Sequence, residues 1–172
     1  MRLTLSLAAL AATVAFATPA LAAPASVTEP AEARGVVLQS LTLTKVTDLD
    51  FGTVAGSALA AGTVSVDADN GARAVSGGVL GLPGLFTRAE FSGYGTATQV
   101  VQLTLSQPAA GVLTNSSSDT ISALLVLDSG GVTRTIGSTG QFTAYVGGDF
   151  GIAANQPNGL YSAQFDLTAD YQ

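Results

Sequence analysis

Tyr161-Ser162-Ala163-Gln164-Phe165-Asp166-Leu167-Thr168-Ala169-Asp170-Tyr171 alternates without a break. Tyr161, Ala163, Phe165, Leu167, Ala169 and Tyr171 fall on one face of an extended chain, and Ser162, Gln164, Asp166, Thr168 and Asp170 on the other. Successive side chains of a strand point to opposite faces, so a period of two describes a strand with one face in a core and one in water. Gly159 stands just before this segment and Tyr171 is the penultimate residue. A last strand at a sheet edge exposes unpaired amides and carbonyls, which proteins blunt, cover or offer to another chain.

The same period recurs upstream. Val37, Leu41 and Leu43 alternate with polar residues, and Leu49 and Phe51 continue the pattern after a break. Thr63 to Val66 leads into Asp69-Asn70-Gly71, which predicts a tight hairpin turn with positive φ at both Asn70 and Gly71 and a return through Ala72 to Val75. Further strands are predicted over Leu85 to Phe91, Val101 to Leu105, Val132 to Ile136 and Phe142 to Val146. Ile121 to Leu127 is a continuous apolar run, suited to a strand buried on both faces or at a sandwich centre. No helical period competes. Many short strands separated by glycine-rich turns predict an all-β protein, an immunoglobulin-like antiparallel β-sandwich, either complete or lacking its final strand. Residues 36–172 suffice for one such domain.

Ahead of the domain, Arg2 is followed by an apolar run from Leu3 to Phe16 and then by Thr18-Pro19-Ala20-Leu21-Ala22-Ala23. The pattern is that of a secretory signal peptide over residues 1–22, cleaved between Ala22 and Ala23. The run is shorter than the roughly 20 residues a membrane span needs, and no second such run follows, so no span is expected after cleavage. Residues 23–35 hold two prolines and little apolar content and read as an extended arm. The expected location is therefore beyond the inner membrane: the periplasm, then the cell surface or the medium.

Composition narrows the chemistry. Six basic residues against twelve acidic ones give a net charge of −6, which argues against nucleic acid and anionic membranes. The chain has no cysteine, so packing and strand pairing alone must close the fold, and no histidine, the commonest general base and transition-metal ligand. No residue is expected to be catalytic, to hold a cofactor or to ligate a metal. Asp67-Ala68-Asp69-Asn70-Gly71 resembles the start of a calcium loop, but the sixth and twelfth positions, which need Gly and Glu, are Ala72 and Gly78. Serines have no histidine to activate them, and Lys45 is an isolated lysine. Tyr94, Phe142, Tyr145 and Phe150 could stack on a sugar, although such rings more often fill a core.

Gly159, the alternating positions after it and penultimate Tyr171 resemble the C-terminal motif of subunits exported by bacterial chaperone–usher pathways. That resemblance implies an incomplete sandwich. A periplasmic chaperone lends it a strand, an outer-membrane usher handles it, and the N-terminal segment of the next identical or related subunit completes it. The interface would then comprise Gly159, Tyr161, Ala163, Phe165, Leu167, Ala169 and Tyr171, with Val37, Leu41 and Leu43 as a donor segment. Donor status competes with membership of the domain's own first strand. A second resemblance spans most of the mature chain. Leu49-Asp50-Phe51-Gly52-Thr53-Val54 and Gly147-Gly148-Asp149-Phe150-Gly151-Ile152, followed by Gln156-Pro157-Asn158-Gly159-Leu160-Tyr161, are similar to a domain of unknown function common in exported proteobacterial proteins. The expected function is a structural fimbrial (pilus) subunit assembled by strand exchange. The alternative is a self-complete, non-enzymatic sandwich that binds carbohydrate or protein.

Overall fold

A computed structural model describes residues 26–172. The expected leader, its Ala22–Ala23 cleavage position and the first residues of the arm lie outside the described residues. Residues 26–35, the described part of the unit Met1–Gly35, are exposed and without regular secondary structure; Val36–Gln172 is the other unit. No helix among the described residues is long and apolar enough to cross a membrane.

The second unit is all-β and antiparallel. Its strands are β1 (Thr42–Thr47), β2 (Val54–Ala55), β3 (Gly62–Val66), β4 (Arg73–Gly77), β5 (Leu80–Gly81), β6 (Ala89–Tyr94), β7 (Val100–Leu105), β8 (Val112–Thr114), β9 (Thr120–Leu127), β10 (Thr133–Thr135), β11 (Gln141–Ile152) and β12 (Leu167–Tyr171). One layer runs β1-β6-β11-β3-β4, with β9 also on β11 and β8 on β9. The facing layer is β10-β7-β12, and β2-β5 is a separate short ribbon. β11 is the spine. Gln141–Val146 pairs with β6, and Val146–Ile152 pairs with β9 and β3.

The core sits between the layers. Val101 and Leu103 of β7 and Ile136 meet Phe142 and Ala144 of β11. Farther along, Val64, Ile121, Ala123, Phe150 and Ile152 form a second cluster against Phe51, whose ring stands edge-on to Phe150 at 4.8 Å. The ring of Phe142 lies over Gly93 of β6: a β-carbon at Gly93 would fall 2.1 Å from that ring. A glycine in a strand interior adds no packing of its own, and here the neighbouring phenylalanine occupies its space.

Several expected elements differ. Tyr161 to Tyr171 is a regular strand only over Leu167–Tyr171, because Tyr161 and Ser162 turn toward β8, where Ser162 bridges Thr114. β9 alternates rather than being buried on both faces: Leu124 and Val126 are exposed because the face opposite the core is uncovered. Leu85 and Phe86 lie outside any strand, with Arg73 stacked 4.7 Å above the Phe86 ring. Leu49 and Phe51 also lie outside a strand, and only Asp50 bridges to Thr87. The strand expected over Phe142 to Val146 is twelve residues long, since Gly147 lets the Val66 carbonyl and Ala68 close in where a β-carbon would sit 2.2 Å from that carbonyl.

The β3–β4 turn is wider than the expected two-residue hairpin. Of Asn70 and Gly71, the glycine alone has positive φ, +72°. The Asp67 carboxylate accepts the Asp69 and Asn70 amides, and Asn70 Oδ1 accepts that of Ala72, so side chains take over what a tighter turn would leave to the backbone. Asp69 Oδ1 accepts the Ser129 amide at 2.7 Å, tying this turn to the β9–β10 loop. That bond, helped by the Ser129 side chain and by Arg88, holds the Asp69 carboxyl below its ordinary pKa.

Gly93→Val should drive a side chain into the Phe142 ring and lower the unfolding free energy by about 2–3 kcal/mol, read as a lower urea midpoint at unchanged slope. For Asp69, a depressed folded pKa means that its contribution is present above the ordinary aspartate range and disappears as pH falls through the lowered value. Acid unfolding of Asp69→Asn should lack that part of the pH dependence, which paired denaturation curves between neutral and acid pH will show.

Candidate functional site

β12 is bonded on one side only. Ser106 donates to the Asp166 carbonyl at 2.9 Å and Gln172 to the Val100 carbonyl at 3.1 Å, with Leu167–Tyr171 paired to Val101–Leu105 between them. In an antiparallel ladder alternate residues face the partner. Asp166, Thr168, Asp170 and Gln172 therefore turn their backbone groups toward β7, and Leu167, Ala169 and Tyr171 turn theirs away. No strand among the described residues meets that outer edge.

β1 presents a second open edge on the same side of the sandwich. It pairs with β6 alone, Leu43 opposite Gly93 and Lys45 opposite Phe91. Leu41 and Leu43 pack on the same core cluster as Leu167, Ala169 and Tyr171, so the two open edges, which touch in places, flank one apolar, cleft-like seam. Phe165 lies edge-on to Phe91 at 6.2 Å and extends the apolar floor. All these residues except Phe91 are half-buried, in contrast to Val101 and Leu103 of the paired central strand, which are fully enclosed. Their apolar faces are packed from one side and unfinished on the other.

One end of the cleft is pinned. The Tyr171 hydroxyl accepts the Thr96 amide at 2.7 Å and donates to the Gln39 carbonyl at 2.8 Å. Gln39 in turn donates its amide to Thr96 Oγ1 at 2.6 Å. Gly95 leaves room for this knot: a β-carbon there would sit 2.5 Å from the Tyr171 hydroxyl and 3.0 Å from Leu41 Cδ1. The chain leaves the domain here, with Val36 and Val37 almost fully exposed. Sequence reasoning misses the knot of Gln39, Gly95 and Thr96, because nothing local to Thr96 announces a tyrosine 75 residues away.

The residues expected at the interface divide. Phe165, Leu167, Ala169 and Tyr171 come together along the cleft. Gly159 instead packs on Asn115, the buried side chain that accepts the Ser117 and Asp119 amides. Tyr161 donates its hydroxyl to the Pro157 carbonyl at 2.7 Å and packs against the same core cluster as Phe51 and Val54. Ala163 is exposed and outside any strand. Of the expected donor residues, Leu41 and Leu43 are held by the chain's own fold, and only Val37 is free on the exposed segment.

The alternative sites do not assemble. Phe142 and Phe150 are core residues, Tyr94 is exposed, and Tyr145 is covered by Arg88 at 3.5 Å, so the four rings share no face. A depression of about 280 Å³ on the outer sheet face touches Asp67, Asp69 and Asp149, but the first two spend carboxylate oxygens on turn amides. No group of three or more potential metal-ligating side chains occurs among the described residues.

Residues 41–171 match the family model described as Domain of unknown function (DUF4402). The chain belongs to the DUF4402 family. The match begins at Leu41, just after the Gln39 anchor, and ends at Tyr171, so the DUF4402 domain contains both open edges and excludes the exposed arm. No curated protein and no solved structure is detectably similar to it.

Tyr171→Phe should cost about 1–2 kcal/mol by leaving the Thr96 amide and Gln39 carbonyl without their shared partner. Faster hydrogen exchange at Thr96 and faster proteolysis around Gln39 should accompany the loss; unchanged protection at both places would show that the hydroxyl pins nothing.

Proposed function

We propose that this DUF4402 protein is a structural subunit of a surface fimbria, exported to the periplasm and assembled by strand exchange. The cleft between β1 and β12 carries the reading. It offers the amides and carbonyls of Leu167, Ala169 and Tyr171 beside half-buried Leu41, Leu43 and Phe165. An extended segment laid along this edge gains main-chain hydrogen bonds there and seats alternate side chains between those residues, which sets its register. Before assembly a periplasmic chaperone would lend such a segment. An usher would then exchange it for the arm of another subunit, the exposed stretch ending at Val37. Acidic charge, the absence of histidine and cysteine, and a wholly antiparallel fold are compatible with a building block and give no support to an enzyme.

Expression with and without a chaperone encoded beside this gene tests the reading. Expressed alone, the chain should fail to accumulate in the periplasm. With the chaperone it should accumulate and yield ladders that survive warm detergent. Removing residues 26–37 should stop the ladders while leaving the chaperone complex, and Leu167→Asp should prevent accumulation by placing an unpaired carboxylate in the cleft. A chain that stays a soluble, cooperatively unfolding monomer under all these conditions would instead be a self-complete binding module.

A further inference from the structure

Building on that reading, we infer that the segment filling the cleft is the arm of a second copy of this chain, and that Glu29 of the arm is set against Lys45 of the acceptor. Lys45 stands on the cleft side of β1. It alternates with Leu41 and Leu43 and lies opposite Phe91, whose side chain is in the core; directly opposed residues of an antiparallel pair share a face. It is therefore the next position along the rim after Leu43, on the side of Phe165.

The other cations of the domain are occupied. Arg73 donates to the Phe51 and Leu82 carbonyls, Arg88 covers Tyr145 and donates to the Ala68 carbonyl, and Arg134 is paired with Asp128. Lys45 is held only by Asp48 at 2.5 Å, with both side chains largely exposed. Such a pair is weak, so exchanging its partner costs little.

The arm supplies the complement. Glu32 is paired with Arg34, whereas Glu29 is in no ion pair among the described residues. Val27, Glu29 and Ala31 share one face of an extended arm. Every strand pair in the fold is antiparallel, and an arm antiparallel to β12 with Glu29 at Lys45 places Val27 deeper, toward Leu43 and the Tyr171 end, and Ala31 outward. The one charge that spoils the arm's apolar face then meets the one cation on the rim. A slip by two residues would set the carboxylate among leucines in one direction and move it past Lys45 in the other, so the pair fixes register as well as partner.

Charge reversal tests this on the full chain, with growth of detergent-resistant ladders as the readout. Lys45→Glu alone and Glu29→Lys alone should each slow growth at least about tenfold, because every junction then sets like charges together. Mixing the two variants should restore growth, since each arm now finds an opposite charge in the other variant's cleft, giving an alternating polymer. Asp48→Asn should leave growth at the wild-type rate or above it. If each reversal grows like wild type, the lysine merely blunts an exposed edge, which either charge can do, and the pairing is overturned while the fibre reading stands. If the mixture stays as slow as its components, the two residues act within their own chains and the pairing is likewise overturned. Absence of ladders from the wild-type chain overturns both.

Discussion

The backbone groups of Leu167, Ala169 and Tyr171 turn away from β7 and meet no strand of their own domain, while the side chains of the same residues point inward. A residue so placed is asked to be core and edge at once. Its side chain gains by leaving water, and its amide and carbonyl lose unless something bonds them. Other edges relieve this conflict differently: β8 and β10 are three residues each, and β4, as long as β12, has mostly exposed side chains. β1 carries a lysine and a register shift after it, both means of discouraging unwanted pairing. β12 has five paired residues and no positive charge, and its only charged side chain, Asp170, points to the solvent side. What remains is an edge that one more strand would finish.

The rest of the sandwich holds that edge in place. β7 supplies the paired partner, and its fully enclosed Val101 and Leu103 lock it against Phe142 and Ala144 of the spine strand. β6 stands between that spine and β1, with the Phe142 ring packed over Gly93 of the neighbouring strand in the same layer. The Tyr171 hydroxyl then knots the end of the last strand to the chain just ahead of β1 through Thr96 and Gln39.

The sequence is most readable where one rule acts alone. Period-two patterning locates β3, β7 and the inward face of β12, because each has one side buried and one wet. It overruns at Tyr161 and Ala163, where the alternation continues although the backbone turns toward Thr114. Residues in an irregular segment can mimic a strand period when a core residue such as Tyr161 happens to fall on phase. The pattern also misjudges Ile121 to Leu127: an apolar run does not say whether a second layer covers its outer face, and here Leu124 and Val126 face water. Gly159 stands out in the sequence for its place before the strand, yet its neighbour is Asn115, a contact between loops that no local pattern encodes. The open edge itself is legible only as a tension, a strand both apolar on one face and last in line; which partner it has or lacks is decided by pairing across the fold.

Amide hydrogen exchange at Leu167, Ala169 and Tyr171 addresses the unfinished edge itself, compared between the isolated chain and its assembled form. These three amides should exchange fast in the isolated chain while Thr168 and Asp170, bonded to β7, are protected, and all five should be protected after assembly. Equal protection of all five in the isolated chain would mean that the edge is already satisfied, leaving no place for a strand from a neighbour.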